Sequence, residues 1–347
     1  MTNPGIPIAL LSAALFGAST PFAKLLLGSV DPWLLAGLLY LGAGLGLGLL
    51  RLLQSVTGRH RAEARLMRAD LPWLVLVVLA GGVAGPLFLL FGLTRTDAAS
   101  AALLLNLEGL ATMVIAWLAF RENVDRRLLL GALAIVAGAV VISWQGSALL
   151  GPGAGLIALA CLCWGIDNNL TRRLSSADPL QIAMIKGLGA GAVNLSIALV
   201  QGSQLPATGI VLISGLIGFL GYGVSLALFI LALRSLGTAR TGAYFSVSPF
   251  VGAALAIVLL DVPVTVQLLA GAAFMAIGLW LHLTEDHAHL HDHPQIEHDH
   301  RHVHDAHHQH DHPAGITADT PHAHRHRHAP LMHKHPHYPD LHHRHRH

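Results

Sequence analysis

The sequence predicts an all-α membrane protein: ten transmembrane helices as two inverted five-helix repeats, followed by a disordered histidine-rich tail. Three observations lead there: long apolar runs separated by short punctuated loops, a resemblance between the two halves, and an abrupt change of composition at Glu285. The chain has 347 residues, of which 53% are hydrophobic and only 12% charged, with a mean hydropathy of +0.57. A soluble domain carries about 25% charged residues. The deficit is concentrated, because residues 285–347 hold 15 of the 40 Asp, Glu, Lys and Arg side chains. The first 284 residues are therefore built for lipid rather than for a water-soluble core.

About 20 apolar residues cross a bilayer as a helix. Ten runs meet that requirement, near 6–27, 32–53, 71–93, 98–119, 128–145, 153–173, 179–200, 209–233, 241–260 and 265–284. Asp31-Pro32, Leu71-Pro72, Gly151-Pro152, Asp178-Pro179 and Val262-Pro263 all fall between runs, where proline ends one helix or opens the next. The segment Met1–Pro7 has no Lys or Arg, so the first run reads as a retained helix rather than a cleaved leader.

Loop charges set the expected orientation. With the N-terminus in the cytoplasm, the inner loops carry Arg51, Arg59, Arg61, Arg65, Arg68, Arg121, Arg126, Arg127, Arg172, Arg173, Arg234 and Arg240. The outer loops then carry only Lys24 and Arg95. Both termini are expected in the cytoplasm and the helices in the plasma (inner) membrane. The formal net charge of +2 is uninformative, and without a nucleic-acid-binding pattern in the sequence no nucleic-acid partner is expected. Cys161 and Cys163 lie two apart within one helical run, on diverging faces, so no disulfide is expected between them.

The halves divide at 1–145 and 146–284, ahead of the tail at 285–347. Phe16-Gly17 aligns with Trp164-Gly165, Asp31-Pro32 with Asp178-Pro179, and Leu41–Gly44 with Leu188–Gly191. Arg95 resembles Arg234, and Gly131 and Gly138 align with Gly271 and Gly278 at a constant offset of 140. Five spans is an odd number, so the second copy enters the membrane from the opposite side. Secondary transporters use such inverted repeats, with a substrate site near the midplane between them.

On these features the chain resembles the drug/metabolite transporter superfamily, in its ten-helix EamA-type branch. The resemblance covers about residues 6–284. It rests on Phe16-Gly17 with Pro21, on the small-residue runs Ala98–Ala102 and Thr238–Gly242, on Glu122 and Asp261 after those spans, and on Ser248-Pro249 in the ninth span. The first half departs at the equivalent place, where Glu108-Gly109 stands without a proline. The resemblance implies secondary transport, often export of small organic molecules, without fixing the substrate. A homodimer is compatible with it.

Ionisable residues inside apolar spans are costly and mark functional candidates. Glu108 and Lys186 sit at similar depth in the fourth and seventh spans, which would let them pair across the repeat interface as a static clamp; either one left unpaired is a candidate proton-coupling group. Asp167, Asn168 and Asn169 fall in the sixth span and read as a cavity rim or a helix end. Cys163 shares a helical face with Asp167, a thiol and a carboxylate within reach of a passing metal ion. Lys24, Tyr222 and Tyr244 complete the candidate pathway, with headgroup snorkelling and ordinary packing as the simpler alternatives. No phosphate loop, catalytic constellation or zinc-protease motif is present, so an enzyme is not expected.

The tail holds 23 of the chain's 25 histidines. They alternate through His287, His289, His291 and His293; through His298, His300, His302 and His304; and through His322, His324, His326 and His328, with His307, His308, His310 and His312 between. Six prolines, at positions 294, 313, 321, 330, 336 and 339, disfavour a long helix. The expectation is a segment that stays disordered without a ligand. On extended chain, alternate residues lie on one side, where imidazoles are expected to close on zinc, nickel or cobalt; the plainer alternatives are a pH-dependent polycation or neutral low-complexity drift. No tightly bound cofactor is expected elsewhere. Three readings stand: a carrier of small solutes with a metal-binding tail that regulates or feeds it, a dedicated transition-metal efflux carrier, and a membrane-anchored metal sensor or store.

Overall fold

Helix α1, Gly5–Leu26, opens a bundle in which every described element up to Leu283 is helical. The structure is a computed structural model and describes residues 5–57, 66–120, 126–144, 151–174, 177–236, 238–283, 288–293, 296–302, 322–328 and 331–336. The helices that follow are α2 Pro32–Val56, α3 Leu71–Val77, α4 Gly85–Leu93, α5 Ala98–Leu104, α6 Leu107–Phe120, α7 Arg126–Ser143 and α8 Pro152–Leu174. Then come α9 Pro179–Val200, α10 Thr208–Gly218, α11 Ser225–Leu236, α12 Thr238–Phe245, α13 Ser248–Leu260 and α14 Val266–Leu283. A π-helical turn, Val78–Ala84, joins α3 to α4, and a second, Phe219–Val224, joins α10 to α11.

Local chemistry sets the helix ends. The Asp31 carboxylate accepts the Leu34 backbone N–H at 3.1 Å, and Asp178 accepts that of Leu180 at 2.9 Å. Each is followed by proline, whose missing N–H costs nothing in the first turn. Both Asp-Pro breaks of the sequence are thus helix starts. Helix α13 stops at Asp261, which takes a left-handed conformation with φ 48°, a position that Asp tolerates better than most side chains.

Among the described residues, eight helical stretches are long and apolar enough to cross a membrane, while Ser248–Leu260 and Val266–His282 are apolar but shorter. Two of the expected spans are interrupted. The fourth breaks between α5 and α6 at Leu105-Asn106, and the ninth between α12 and α13 at Ser246-Val247. Large apolar side chains point away from the bundle along its length, including Leu45, Leu49, Leu133, Leu212 and Val258. A surface of that kind suits lipid tails.

The aligned glycines prove to be contact points between the halves. In α7 and α14 a Cβ on Gly138 would lie 2.8 Å from the Gly271 carbonyl oxygen, and one on Gly278 would lie 2.6 Å from that of Gly131. The two backbones are therefore in direct contact, antiparallel, over two helical turns. Gln267 of α14 closes the end of α7, its amide donating to the carbonyls of Val141 and Trp144. The same relation holds between α2 and α9, where Gly44 meets Leu188 and Gly191 meets Leu41. Without a hydrophobic drive between helices in lipid, such small-residue contacts let dispersion forces hold them together.

Beyond Leu283 the described backbone is extended. Residues Ala288–His293 pair antiparallel with Leu331–Pro336, and Ile296–His302 with His322–His328. The register sets His298 opposite His326, His300 opposite His324 and His302 opposite His322. Two-stranded ladders contribute little stability in water by themselves. The helical body thus carries the fold. His287, His304, His307, His308, His310 and His312 lie outside the described residues.

Substitution of Gly138 by valine should separate α7 from α14 and destabilise the protein by about 2 kcal/mol or more. Gly155→Ala, at a position with open space around it, should be neutral or slightly stabilising. Thermal unfolding in detergent checks both; equal melting temperatures for the two variants would contradict the close contact.

Candidate functional site

Two polar clusters meet in the centre of the bundle. In the first, Lys186 of α9 forms an ion pair and hydrogen bond with the Asp167 carboxylate of α8, both side chains being buried. The Thr171 hydroxyl donates to the other Asp167 oxygen at 3.1 Å. The Asp167 side chain rests directly on Gly81 in the first π-turn, where any Cβ would collide with the carboxylate.

A π-turn shifts backbone hydrogen bonds out of helical register and leaves carbonyls seeking donors. In the first π-turn three side chains supply them. The Gly81 carbonyl accepts the Tyr40 hydroxyl at 2.8 Å and the Trp164 indole N–H at 3.0 Å. The Gly82 carbonyl accepts the Asn194 amide at 3.1 Å. Among the described residues no side chain donates to the carbonyls of the second π-turn.

The second cluster gathers around Glu108. The break before α6 places Glu108 in the first turn of that helix, where the N-terminal end of the helix dipole favours a carboxylate. The Asn168 amide donates to Glu108 Oε1 at 2.9 Å and to the Thr112 hydroxyl at 3.2 Å. Asn169 donates to the Thr112 carbonyl at 3.1 Å. Successive positions on a helix are rotated by about 100°. Asp167, Asn168 and Asn169 accordingly share out their partners, the first to α9 and the other two to α6.

Between these clusters lies a cavity of about 70 Å³. It is lined by Phe16 of α1, Tyr40 and Ala43 of α2, Glu108 of α6, and Trp164, Asp167 and Asn168 of α8. The rest of the wall comes from Ala183, Lys186 and Gly187 of α9, Gly221 and Tyr222 of the second π-turn, Ser225, Leu226 and Phe229 of α11, and Phe245 of α12. Phe16 is the centre of a ring cluster. Its centroid lies 5.9 Å from that of Trp164, 5.8 Å from Tyr222 and 5.4 Å from Phe245. Tyr40 adjoins Tyr222 at 5.3 Å, and Phe229 adjoins Phe245 at 4.9 Å. Ser12 and Ser225 exchange hydrogen bonds with each other's carbonyls at 2.7 and 2.9 Å, pinning α1 to α11 beside the cavity. A second cavity, of about 140 Å³, sits at helix ends between Arg95, Asp97, Ser143 and Gly153 and takes nothing from α9 to α14.

A bundle of apolar helices around one central, mainly apolar cavity with a few ionised groups is the build of a membrane carrier. The sequence pattern of the EamA-like transporter family matches this chain twice, over residues 3–144 and 151–284. The chain belongs to that family.

An uncharacterized transporter of Methanothermobacter thermautotrophicus is 30% identical to this EamA-type chain over 291 residues, covering 79% of it and 84% of the relative. A probable 4-amino-4-deoxy-L-arabinose-phosphoundecaprenol flippase subunit, ArnE, of Pseudomonas paraeruginosa is 39% identical over 82 residues, or 24% of this chain and 69% of that one. A solved crystal structure shares the fold with a TM-score of 0.61 at 19% identity, covering 81% of this chain and 96% of the other.

The EamA-type structure redistributes the residues singled out from sequence. Glu108, Asp167, Asn168, Lys186 and Tyr222 all reach the cavity. The expected pairing of Glu108 with Lys186 does not form; Lys186 meets Asp167, because α9 lies against α2 and the first π-turn while α6 lies against α8. Cys163 is half-buried and outside the cavity wall, and Asp167 is already engaged, so the thiol–carboxylate face is not assembled. Among the described residues no three metal-binding side chains converge. Lys24 donates to the backbone carbonyls of Leu93 and, at 2.9 Å, Thr96, which fastens the end of α1 to the turn before α5. Tyr244 packs with Ala9, Ala232 and Leu236 in a separate cluster. Sequence reasoning missed Tyr40, Phe229 and Phe245 as cavity residues. The aromatic at the start of each pair Phe16-Gly17 and Trp164-Gly165 was the available signal for the ring cluster.

Replacing Lys186 by Met or Asp167 by Asn alone leaves one buried charge without its partner and should cost on the order of 3 kcal/mol. The double variant should lose less than the sum of the two. Thermal unfolding of all four proteins in detergent tests this, and additive losses would show that the pair does not couple.

Proposed function

We propose that this EamA-type chain is a secondary transporter that exports a small organic solute through the central cavity. We further propose that its ten membrane crossings comprise two inverted five-helix repeats, 1–145 and 146–284, in the inner membrane with both termini cytoplasmic. The observation that carries this reading is the composition of the cavity wall. Phe16, Tyr40 and Glu108 come from the first half, and Trp164, Lys186, Tyr222 and Phe245 from the second. A site between two halves opens to either side as they rock against each other. The broken helices α5/α6 and α12/α13 and the two mid-helix π-turns supply places where backbone rearranges inside a protein-lined space.

The tail at 285–347 is assigned to binding zinc, nickel or cobalt, and thereby to regulating transport. Its support is the alternation of histidines on extended chain, which brings many equivalent sets of three or four imidazoles together. A dedicated metal-ion carrier is the weaker reading. Asp167 is taken by Lys186, which leaves Glu108 as a single carboxyl group in the wall, too few ligands for a dehydrated divalent ion.

Two measurements test these assignments. Comparing the solutes released by cells with and without the chain should show at least one small organic compound exported only when it is present. If no compound changes, the transport reading fails. Calorimetric titration with zinc should show several equivalents bound to the full chain and almost none to a version ending at Asp286. Because imidazole with a reference pKa of about 6.5 must be neutral to ligate, this binding should weaken as pH falls from 7.5 to 5.5. Equal zinc uptake by the two versions would remove the tail from the metal site.

A further inference from the structure

We propose that the solute taken by this cavity is a monovalent organic cation, an ammonium group on an apolar body, with Glu108 as its counter-ion. The proposal rests on the transport reading above and names the class of substrate for the same site.

Charge within the cavity carries the argument. Three ionisable groups other than tyrosine line it: Glu108, Asp167 and Lys186. Lys186 and Asp167 are in direct contact and cancel. Glu108 is left with a neutral neighbour, the Asn168 amide on Oε1 at 2.9 Å. Its second oxygen, Oε2, receives no donor among the described residues. The cavity therefore holds one carboxyl group that, in its ionised form, has no positive partner in its wall. In a medium of low dielectric a lone charge attracts a counter-charge far more strongly than in water, and it repels an anion equally.

The wall supplies the second half of the recognition. Six of its residues are aromatic: Phe16, Tyr40, Trp164, Tyr222, Phe229 and Phe245, in a sequence that is 6% aromatic overall. Ring faces carry negative quadrupole charge and attract ammonium groups, most strongly where water is excluded. A zwitterion fits less well, because its carboxylate would need a cation, and Lys186 is already engaged by Asp167. A neutral solute would satisfy the rings but leave Glu108 without a counter-ion.

Three probes of matched shape separate these cases: 2-phenylethylammonium, 2-phenylethanol and 3-phenylpropanoate. Each is titrated calorimetrically into the full chain in detergent. The ammonium should bind at least tenfold more tightly than the alcohol, and the carboxylate should show no binding. Glu108→Gln should reduce the ammonium-to-alcohol preference to near one. Phe16→Leu should weaken the ammonium more than the alcohol. Size-exclusion profiles confirm that each variant remains folded. The proposal is overturned if the alcohol or carboxylate binds as tightly as the ammonium, if none of the three binds, or if Glu108→Gln leaves the preference intact. The solute-release comparison in cells does not use these probes. Release without a preference for cations would sink the substrate class and keep the transporter; absence of any release would sink the transporter itself.

Discussion

The contact between Asp167 and Lys186 governs the centre of this protein. Two charges removed from water are tolerated only when they satisfy each other. Here they do so with help from Thr171 and with Gly81 leaving room for the carboxylate. That one contact binds α8 to α9 and seats both on the first π-turn. It also decides the electrostatics of the cavity. With Lys186 engaged by Asp167, Glu108 is the acidic group of the wall left without a cationic side chain beside it.

Around this centre the two halves are alike in plan and unlike in detail. Both carry an aromatic-Gly pair in the first helix, an Asp-Pro start to the second, a π-turn in the third and a break in the fourth. The first π-turn is held by Tyr40, Trp164 and Asn194. The second has no such side-chain donors among the described residues and presents Gly221 and Tyr222 to the cavity.

Much of this was readable before any coordinates. The Asp-Pro pairs announced helix starts because proline and a short acid act locally, within one turn. The offset of 140 between glycines marked the halves as related; that Gly131, Gly138, Gly271 and Gly278 bring the two helices into backbone contact came from the packing. The polar run Asp167–Asn169 left a cavity rim and a helix end as alternatives, and Asp167 and Asn168 line the cavity. What failed was the matching of partners. Glu108 and Lys186 have similar depth in the sequence, but depth does not give rotation about the helix axis or the choice of neighbouring helix. Cys163, Lys24 and Tyr244 lie outside the cavity wall: Lys24 is engaged by carbonyls at the end of α1, and Tyr244 packs in a separate cluster.

The sequence by itself determined a helical membrane protein with two related halves, a sparse set of charges in the spans and a tail rich in metal ligands. These follow from properties that act along the chain: hydropathy, helix capping, loop charge and composition. Tertiary structure alone decided that Lys186 belongs to Asp167, that Glu108 is held only by Asn168, and that six rings from both halves face one another. Those outcomes depend on which faces of distant helices meet, and in lipid that is settled by the close fit of backbones at small residues rather than by any pattern visible along the chain.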